Sequence, residues 1–472
     1  MKAESRDYAS YVRSKLAVHP PSGIADPTIG VRRLFPFQHD LVSWALRRGR
    51  AAVFADTGLG KTGMQIAWAD AVARHTSGDV LILAPLAVAA QTVAEGVACG
   101  VDVTICRDAA DVRPGLNVTN YDRLHRFDPA RFSGVVLDES SCIKHHDAKT
   151  LRTLLDAFAA CPFRFCATAT PAPNDWTELG THAEFLGVCT RTEMLSEFFC
   201  HDGGETQVWR LKGHARRAFW RWVSSWGAMV RRPSDLGYSD DGYALPAART
   251  TSHTVATDAA TLRAGGVLFA QEAATLMDRR NARRGSIDAR VTMCADLVNA
   301  DPTEPWIVWC DLNAESEALT KAIRGAVEVR GSDDPDTKEE RLRAFSEGRI
   351  RVLVTKPSIA GFGLNWQHCA RVAFVGVTDS WEAYYQAVRR CWRFGQSREV
   401  RVHIFASEAE GSVVANLARK ERDAAAMAES LSAETREAVM AEVSGAVRTV
   451  NGYEARKAMR LPQWIKSEAE AA

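Results

Sequence analysis

The sequence predicts an α/β protein of two lobes, each built on a parallel sheet. Short apolar runs alternate with longer helical or polar stretches, the rhythm of strands buried on both faces. The runs fall into two series, separated by a long stretch without that rhythm, Pro171 to Pro305. One run of the first series leads through a glycine-rich loop into a helical pattern, the place where an α/β sheet binds phosphate.

The first series comprises Ala51 to Ala55, Val80 to Ala84, Val135 to Leu137 and Phe163 to Ala167. The second comprises Trp306 to Cys310, Arg351 to Thr355, Arg371 to Val375 and Val400 to Phe405. The middle reads as helical and loop-rich. In it Trp209, Trp220, Trp222 and Trp226 are interleaved with Arg210, Lys212, Arg216, Arg217 and Arg221, and D-R-R-N-A-R-R-G follows at Asp278 to Gly285. From about Glu408 the chain is rich in Ala, Glu and Arg and reads as helices, with Ser432 a fitting N-cap before A-E-T-R-E and Pro462 an interruption near the end. The expected division is 1–185 for the first lobe, 186–300 for a helical Trp- and Arg-rich connection, 301–410 for the second lobe and 411–472 for a helical tail.

Composition narrows the function. With 46% hydrophobic and 25% charged residues, the chain is not mainly disordered, collagen-like or coiled-coil. Lys and Arg number 59 against 58 Asp and Glu, so a nucleic-acid or anion site has to be a local patch. The N-terminal stretch has no apolar signal core, and Val80 to Ala90 is too short to span a bilayer, so no membrane partner is expected. The 11 cysteines contain no C-x-x-C pair, which suits reduced thiols in a cytoplasmic protein.

The strongest signal is A-D-T-G-L-G-K-T, Ala55 to Thr62, between the strand A-A-V-F-A and a helical run. Gly58 and Gly60 allow a tight turn whose N–H groups face phosphate oxygens. Lys61 is placed to reach the β- and γ-phosphates of ATP, and Thr62 to ligate Mg²⁺. A chance glycine-rich turn is the competing reading, and Ala55 stands where the generic pattern has its first glycine. The run V-V-L-D-E then ends a strand in two acids. Asp138 is expected to hold Mg²⁺, and Glu139 to orient and deprotonate the attacking water. After the strand F-R-F-C, A-T-A-T-P supplies Thr168 and Thr170, hydroxyls able to bond the acidic pair and sense the γ-phosphate. In the second series, Arg390 and Arg393 lie three apart in Q-A-V-R-R-C-W-R-F-G-Q and share one helix face, as arginine fingers from another lobe would. A basic surface helix is the alternative. T-K-P-S-I-A-G-F-G-L-N, Thr355 to Asn365, puts Gly361 and Gly363 in a loop suited to close approach by phosphate, ribose or a nucleic-acid backbone.

Together these segments resemble a superfamily-two helicase ATPase core, two RecA-like P-loop lobes in one chain. The finer resemblance is to the Swi/Snf-like (DEAD/DEAH-like) branch of DNA translocases, in a minimal bacterial or phage form. F-P-F-Q resembles the adenine-reading Q motif, with Gln38 as the reader. D-T-G-L-G-K-T, with Thr57, Gly58, Leu59, Gly60, Lys61 and Thr62, resembles motif I. L-I-L-A-P-L-A-V-A-A-Q resembles motif Ia, and V-T-N-Y-D the next DNA-contacting motif. S-I-A-G-F-G-L-N resembles motif V, and Q-A-x-x-R-x-x-R-x-G-Q is matched at every specified position. The resemblance implies ATP and Mg²⁺ as cofactors, DNA as partner (duplex before single-stranded), and ATP bound between the lobes. It implies nucleotide contact at Gly363, coupling by Thr168, Thr170 and Gln386, and nucleic-acid contact at Pro85, Thr119, Asn120 and Thr355. An RNA-directed helicase and a non-hydrolysing ATP-bound clamp are the other readings. Two departures stand out: D-E-S-S replaces D-E-A-H, and Ala169-Thr170-Pro171 replaces G-T-P.

Overall fold

The computed structural model describes residues 20–443 apart from 86–87, 146–147, 203–204, 256–283, 361–364, 377 and 379. The first lobe starts with helix Pro36–Arg48 and β1 (Arg50–Ala55), then helix Lys61–Thr76, β2 (Asp79–Ala84) and helix Ala89–Cys99. β3 (Val103–Ile105), β4 (Leu116–Asn120), β5 (Phe132–Asp138), helix Lys149–Phe158 and β6 (Phe163–Ala167) follow. Next come an antiparallel hairpin, β7 (Phe199–Asp202) and β8 (Glu205–Leu211), and then β9 (Gly227–Val230). The second lobe is built from β10 (Ala248–Val255), β11 (Trp306–Cys310), β12 (Ala326–Glu328), β13 (Val352–Thr355), β14 (Arg371–Val375) and β15 (Val400–Ser407).

Two parallel sheets result. The first has strand order β3-β4-β2-β5-β6-β1-β9, the second β10-β15-β14-β11-β13-β12. β1, which precedes the glycine-rich loop, and β5, which ends in the acidic pair, each have β6 as a parallel neighbour, so the loops at their carboxyl ends open on one edge. β11 is buried along its whole length, as a strand covered by helices on both faces must be. Among the described residues no helix is long and apolar enough to cross a membrane.

The middle is less purely helical than its sequence suggests. β9 pairs with β1 and extends the first sheet, while β10 pairs with β15 and extends the second. G-A-M-V is too short and too small-chained to stand out after W-R-W-V-S-S-W. A-R-T-T-S-H-T-V is an edge strand whose outward residues are polar. Trp220 and Trp226 are buried in the first lobe, with Trp209 and Trp222 packed against the same core. Arg210, Arg216, Arg217 and Arg221 are exposed. Most of D-R-R-N-A-R-R-G lies outside the described residues, as does everything beyond 443, Pro462 included.

The tail begins as one helix, Gly411–Val443. Val413 and Leu417 enter the core of the second lobe, whereas Met427, Ala428, Leu431 and Val439 enter that of the first. Ser432 therefore does not cap a helix as expected. It sits inside one, its hydroxyl 3.3 Å from the Met229 carbonyl, and Thr435 Oγ1 accepts from the Met229 N–H at 2.9 Å. Nothing between 411 and 443 breaks the helix, and a buried serine finds its partner on the neighbouring strand. Where this helix starts, the fully buried Arg290 donates to Glu315 at 2.7 Å and lies 3.9 Å from Glu410, joining three segments of the second lobe.

Candidate nucleotide site between the lobes

The loop after β1 is shaped by two glycines. Gly58 has φ 93° and Gly60 has φ 75°, both in the left-handed region. Any Cβ on Gly60 would lie 2.3 Å from Gln38 Nε2, and one on Gly58 would lie 3.0 Å from Phe394 of the second lobe. Gln38 holds the loop directly: its amide donates to the Leu59 carbonyl at 2.8 Å and accepts from the Phe35 N–H at 2.9 Å. Lys61 opens the following helix, and its ammonium donates to the Ala55 carbonyl at 3.0 Å. Burial pulls the Lys61 pKa down, against the opposing pull of Glu139, Asp56 and Asp138.

β5 ends at Asp138, and Glu139 follows with φ 51° and ψ 53°. A left-handed conformation at a non-glycine residue costs about 1–3 kcal/mol and is held by its surroundings. Asp138 Oδ1 accepts from Gln65 Nε2 at 2.6 Å, and the Asp138 carbonyl accepts from the Tyr121 hydroxyl at 2.7 Å. Thr168 donates to Glu139 Oε2 at 3.3 Å. Burial raises the pKa of both acids; for Glu139, Asp138 adds to the rise while Lys61 and Arg390 oppose it. Ser140, at the D-E-S-S departure, lies 3.1 Å from Nε2 of the buried His182.

The second lobe completes the cleft. Thr57, Gly58, Gly60, Lys61, Thr62, Asp138 and Glu139 line a space of about 240 Å³ together with Gln386, Arg390 and Arg393. Arg390 and Arg393 have pKa values pushed down to about 10 by burial, so both are cationic at neutral pH. The Gln386 amide nitrogen is buried and has no hydrogen-bond partner among the described residues. Thr62 and Asp138 face the same space. One hydroxyl and one carboxylate fit a Mg²⁺ ion that takes most of its ligands from substrate phosphates and water. Among the described residues no group of three or more His, Cys, Asp or Glu forms a metal site of its own.

Several residues close to this chemistry were not singled out from sequence. Gln65 is four residues after Lys61, on the same helix face. Tyr121 follows Asn120 directly. Arg389 adjoins Arg390, pairs with Asp56 across the lobe boundary and donates to the Thr57 carbonyl at 3.0 Å; Tyr385 donates to Asp56 as well.

The expected nucleic-acid contacts fare differently. Thr119 is 2% exposed, and Thr355 is wholly buried with its hydroxyl donated to the Val329 carbonyl at 3.0 Å, so neither side chain is open to a nucleic-acid backbone. Both are the fourth residue of a strand and point into the protein. Asn120 caps the following turn through the Arg123 N–H, and Pro85 is half-buried. Beyond Thr355, Lys356 and Ser358 line a second cavity of about 130 Å³ at the carboxyl ends of β11, β13 and β14. Gly361 and Gly363 lie outside the described residues.

Comparison with curated proteins gives no match. Residues 289–395, which take in Gln386, Arg390 and Arg393, match the family model of the helicase conserved C-terminal domain. The match supports a superfamily-two helicase C-terminal lobe in the second half of the chain and implies a helicase or ATPase enzyme dependent on nucleic acid.

Proposed function

We propose that the protein is a DNA-stimulated ATP hydrolase that moves along duplex DNA, with ATP bound between its two lobes. The observation that carries this reading is the shared cleft, where Lys61, Thr62, Asp138 and Glu139 of one lobe face Gln386, Arg390 and Arg393 of the other. The loop N–H groups and Lys61 bind the phosphates. Thr62 and Asp138 would hold Mg²⁺, which screens the phosphate charge when bound. Glu139 accepts a proton from water as the water oxygen bonds to the γ-phosphorus. The bond from that phosphorus to the β,γ-bridging oxygen breaks, and ADP leaves with the electron pair. Arg390 and Arg393 stabilise the charge that develops on the transferring group, and they do so only while the lobes are together. DNA rather than RNA is favoured by the fully matched Q-A-x-x-R-x-x-R-x-G-Q pattern.

The test is steady-state phosphate release with duplex DNA, single-stranded DNA, RNA and no nucleic acid. Stimulation greatest with duplex DNA is expected. Stimulation by RNA alone would reassign the substrate, and ATP binding without turnover would make the protein a clamp.

A further inference from the structure

The helix Trp381–Val388 turns one face toward the first lobe. Glu382, Tyr385 and, just past its end, Arg389 lie three and four residues apart on that face. Tyr385 and Arg389 hold the phosphate-binding loop. Glu382 holds two other segments at once. Its carboxylate pairs with Lys144, on the loop after Glu139, and accepts from the Thr170 hydroxyl at 3.5 Å. Both members of the ion pair are largely shielded, with 14% of Glu382 and 18% of Lys144 exposed.

The contacts continue inward. The Thr170 N–H donates to Thr168 Oγ1 at 3.1 Å, and the Thr168 hydroxyl donates to Glu139 Oε2 at 3.3 Å. A chain of polar contacts thus joins a carboxylate of the second lobe to the Glu139 carboxylate of the first. Lys144 makes a second connection through the loop it shares with Glu139. Neither Lys144 nor Glu382 is among the residues lining the phosphate cleft, so direct contact with nucleotide does not account for either. Ser140 and Ser141 carry no charge, and among the described residues Lys144 is the ionic link from this loop to the helix.

We propose that Glu382 is a positioning residue that makes the placement of Glu139 depend on the second lobe. With the lobes together, Glu382 fixes both the loop bearing Glu139 and the threonine pair that holds its carboxylate. With the lobes apart, both are released. This rests on the DNA-stimulated ATPase reading above.

The experiment uses the full chain and linear duplex DNA. ATP turnover is measured with and without DNA for wild type, Glu382→Gln, Glu382→Lys, Lys144→Glu and the double variant Lys144→Glu/Glu382→Lys. Turnover at saturating DNA is expected to fall about tenfold in each single charge reversal, the size of an ordinary coupling between sites. The KM for ATP and the turnover without DNA stay within about twofold of wild type, because the phosphate contacts are untouched. The double variant recovers part of the loss, since exchanging the charges restores the pair. Glu382→Gln, which keeps an acceptor for Thr170, falls between wild type and Glu382→Lys. A merely structural role would lower the melting temperature and both turnovers together, with the double variant restoring all three alike, and would overturn the proposal. Wild-type stimulation in Glu382→Lys would overturn it too, leaving the ATPase reading intact. No turnover in wild type with any nucleic acid would overturn the ATPase reading, and the role of Glu382 with it.

Discussion

Arg389 Nη2 of the second lobe lies 2.6 Å from Asp56 Oδ2 in the glycine-rich loop of the first. Only 3% of the Arg389 side chain is exposed, against 22% of Asp56. The guanidinium also stacks over the Trp392 ring, 4.8 Å from its centroid. The same Asp56 accepts from Tyr385, and burial together with the Asp56 carboxylate raises the Tyr385 pKa, which keeps that phenol a donor. The conformation of the loop at Asp56 and Thr57 is therefore set in part by the opposite lobe.

The two halves of that pair are unequal. Asp56→Ala leaves a buried guanidinium without its carboxylate, a loss of about 3–5 kcal/mol. Arg389→Met removes the buried charge, fills most of its volume and leaves a partly solvated carboxylate. Thermal or urea melting should therefore show a larger loss for Asp56→Ala. The opposite order would mean that the pair is not the main partner of Arg389.

Lys61 and Glu139 separate binding from chemistry. Lys61→Ala should lower ATP turnover about a hundredfold or more, because no neighbouring residue supplies an ammonium at that place. Glu139→Gln should bind ATP as wild type does and lose hydrolysis, since the amide keeps the shape and not the basicity. Equilibrium binding of a fluorescent ATP analogue beside phosphate release distinguishes them. A Glu139→Gln variant that binds poorly yet hydrolyses would remove Glu139 from the role of base.

Arg393 distinguishes a finger from a basic surface. Arg393→Ala should cut the maximal DNA-stimulated turnover by about a thousandfold, the scale of an arginine finger. DNA binding without nucleotide should be nearly unchanged. The measurement is turnover titrated with DNA to saturation. A variant that reaches the wild-type maximum at higher DNA would mark Arg393 as a phosphate-backbone contact instead.

His182 makes stability depend on acidity. Burial lowers its pKa from 6.5 to about 4, so the folded protein holds it neutral while the unfolded chain takes up a proton below 6.5. The unfolded state then binds more protons, and stability falls as pH drops from 6.5 toward 4. His182→Gln should lose less stability over that range than wild type, as read by urea midpoints at successive pH values. An equal slope in the two proteins would show that His182 is not the group responsible.

The central strands were legible because each is a short, nearly unbroken apolar run; Trp306–Cys310 and Phe163–Ala167 fall where their residues place them. The three-residue edge strands Val103–Ile105 and Ala326–Glu328 have too little sequence to give a period. That Gly58, Gly60, Lys61, Asp138 and Glu139 line one cleft was legible for a different reason: they are residue types that a phosphate site would place at strand ends. Gln65 and Tyr121 are not. They reach the site through hydrogen bonds to Asp138, and a glutamine or tyrosine in those places has many other uses. Lys144 with Glu382 and Asp56 with Arg389 were hidden most completely, since nothing local to either partner names a residue in the other lobe.

The helix Gly411–Val443 runs roughly 50 Å at 1.5 Å per residue, from seats in the second lobe to seats in the first. The chain between β9 and β10 also crosses from one lobe to the other. The molecule is thus a closed kinematic loop, with two bodies joined by a strap and a strut. Drawing the bodies straight apart would pull Met427, Leu431 and Val439 out of their apolar seats in the first lobe, or Val413 and Leu417 out of theirs in the second. How far one body can move against the other is bounded by the strut's two seats, where Thr435 bonds to Met229 of the first lobe and Val413 and Leu417 enter the core of the second.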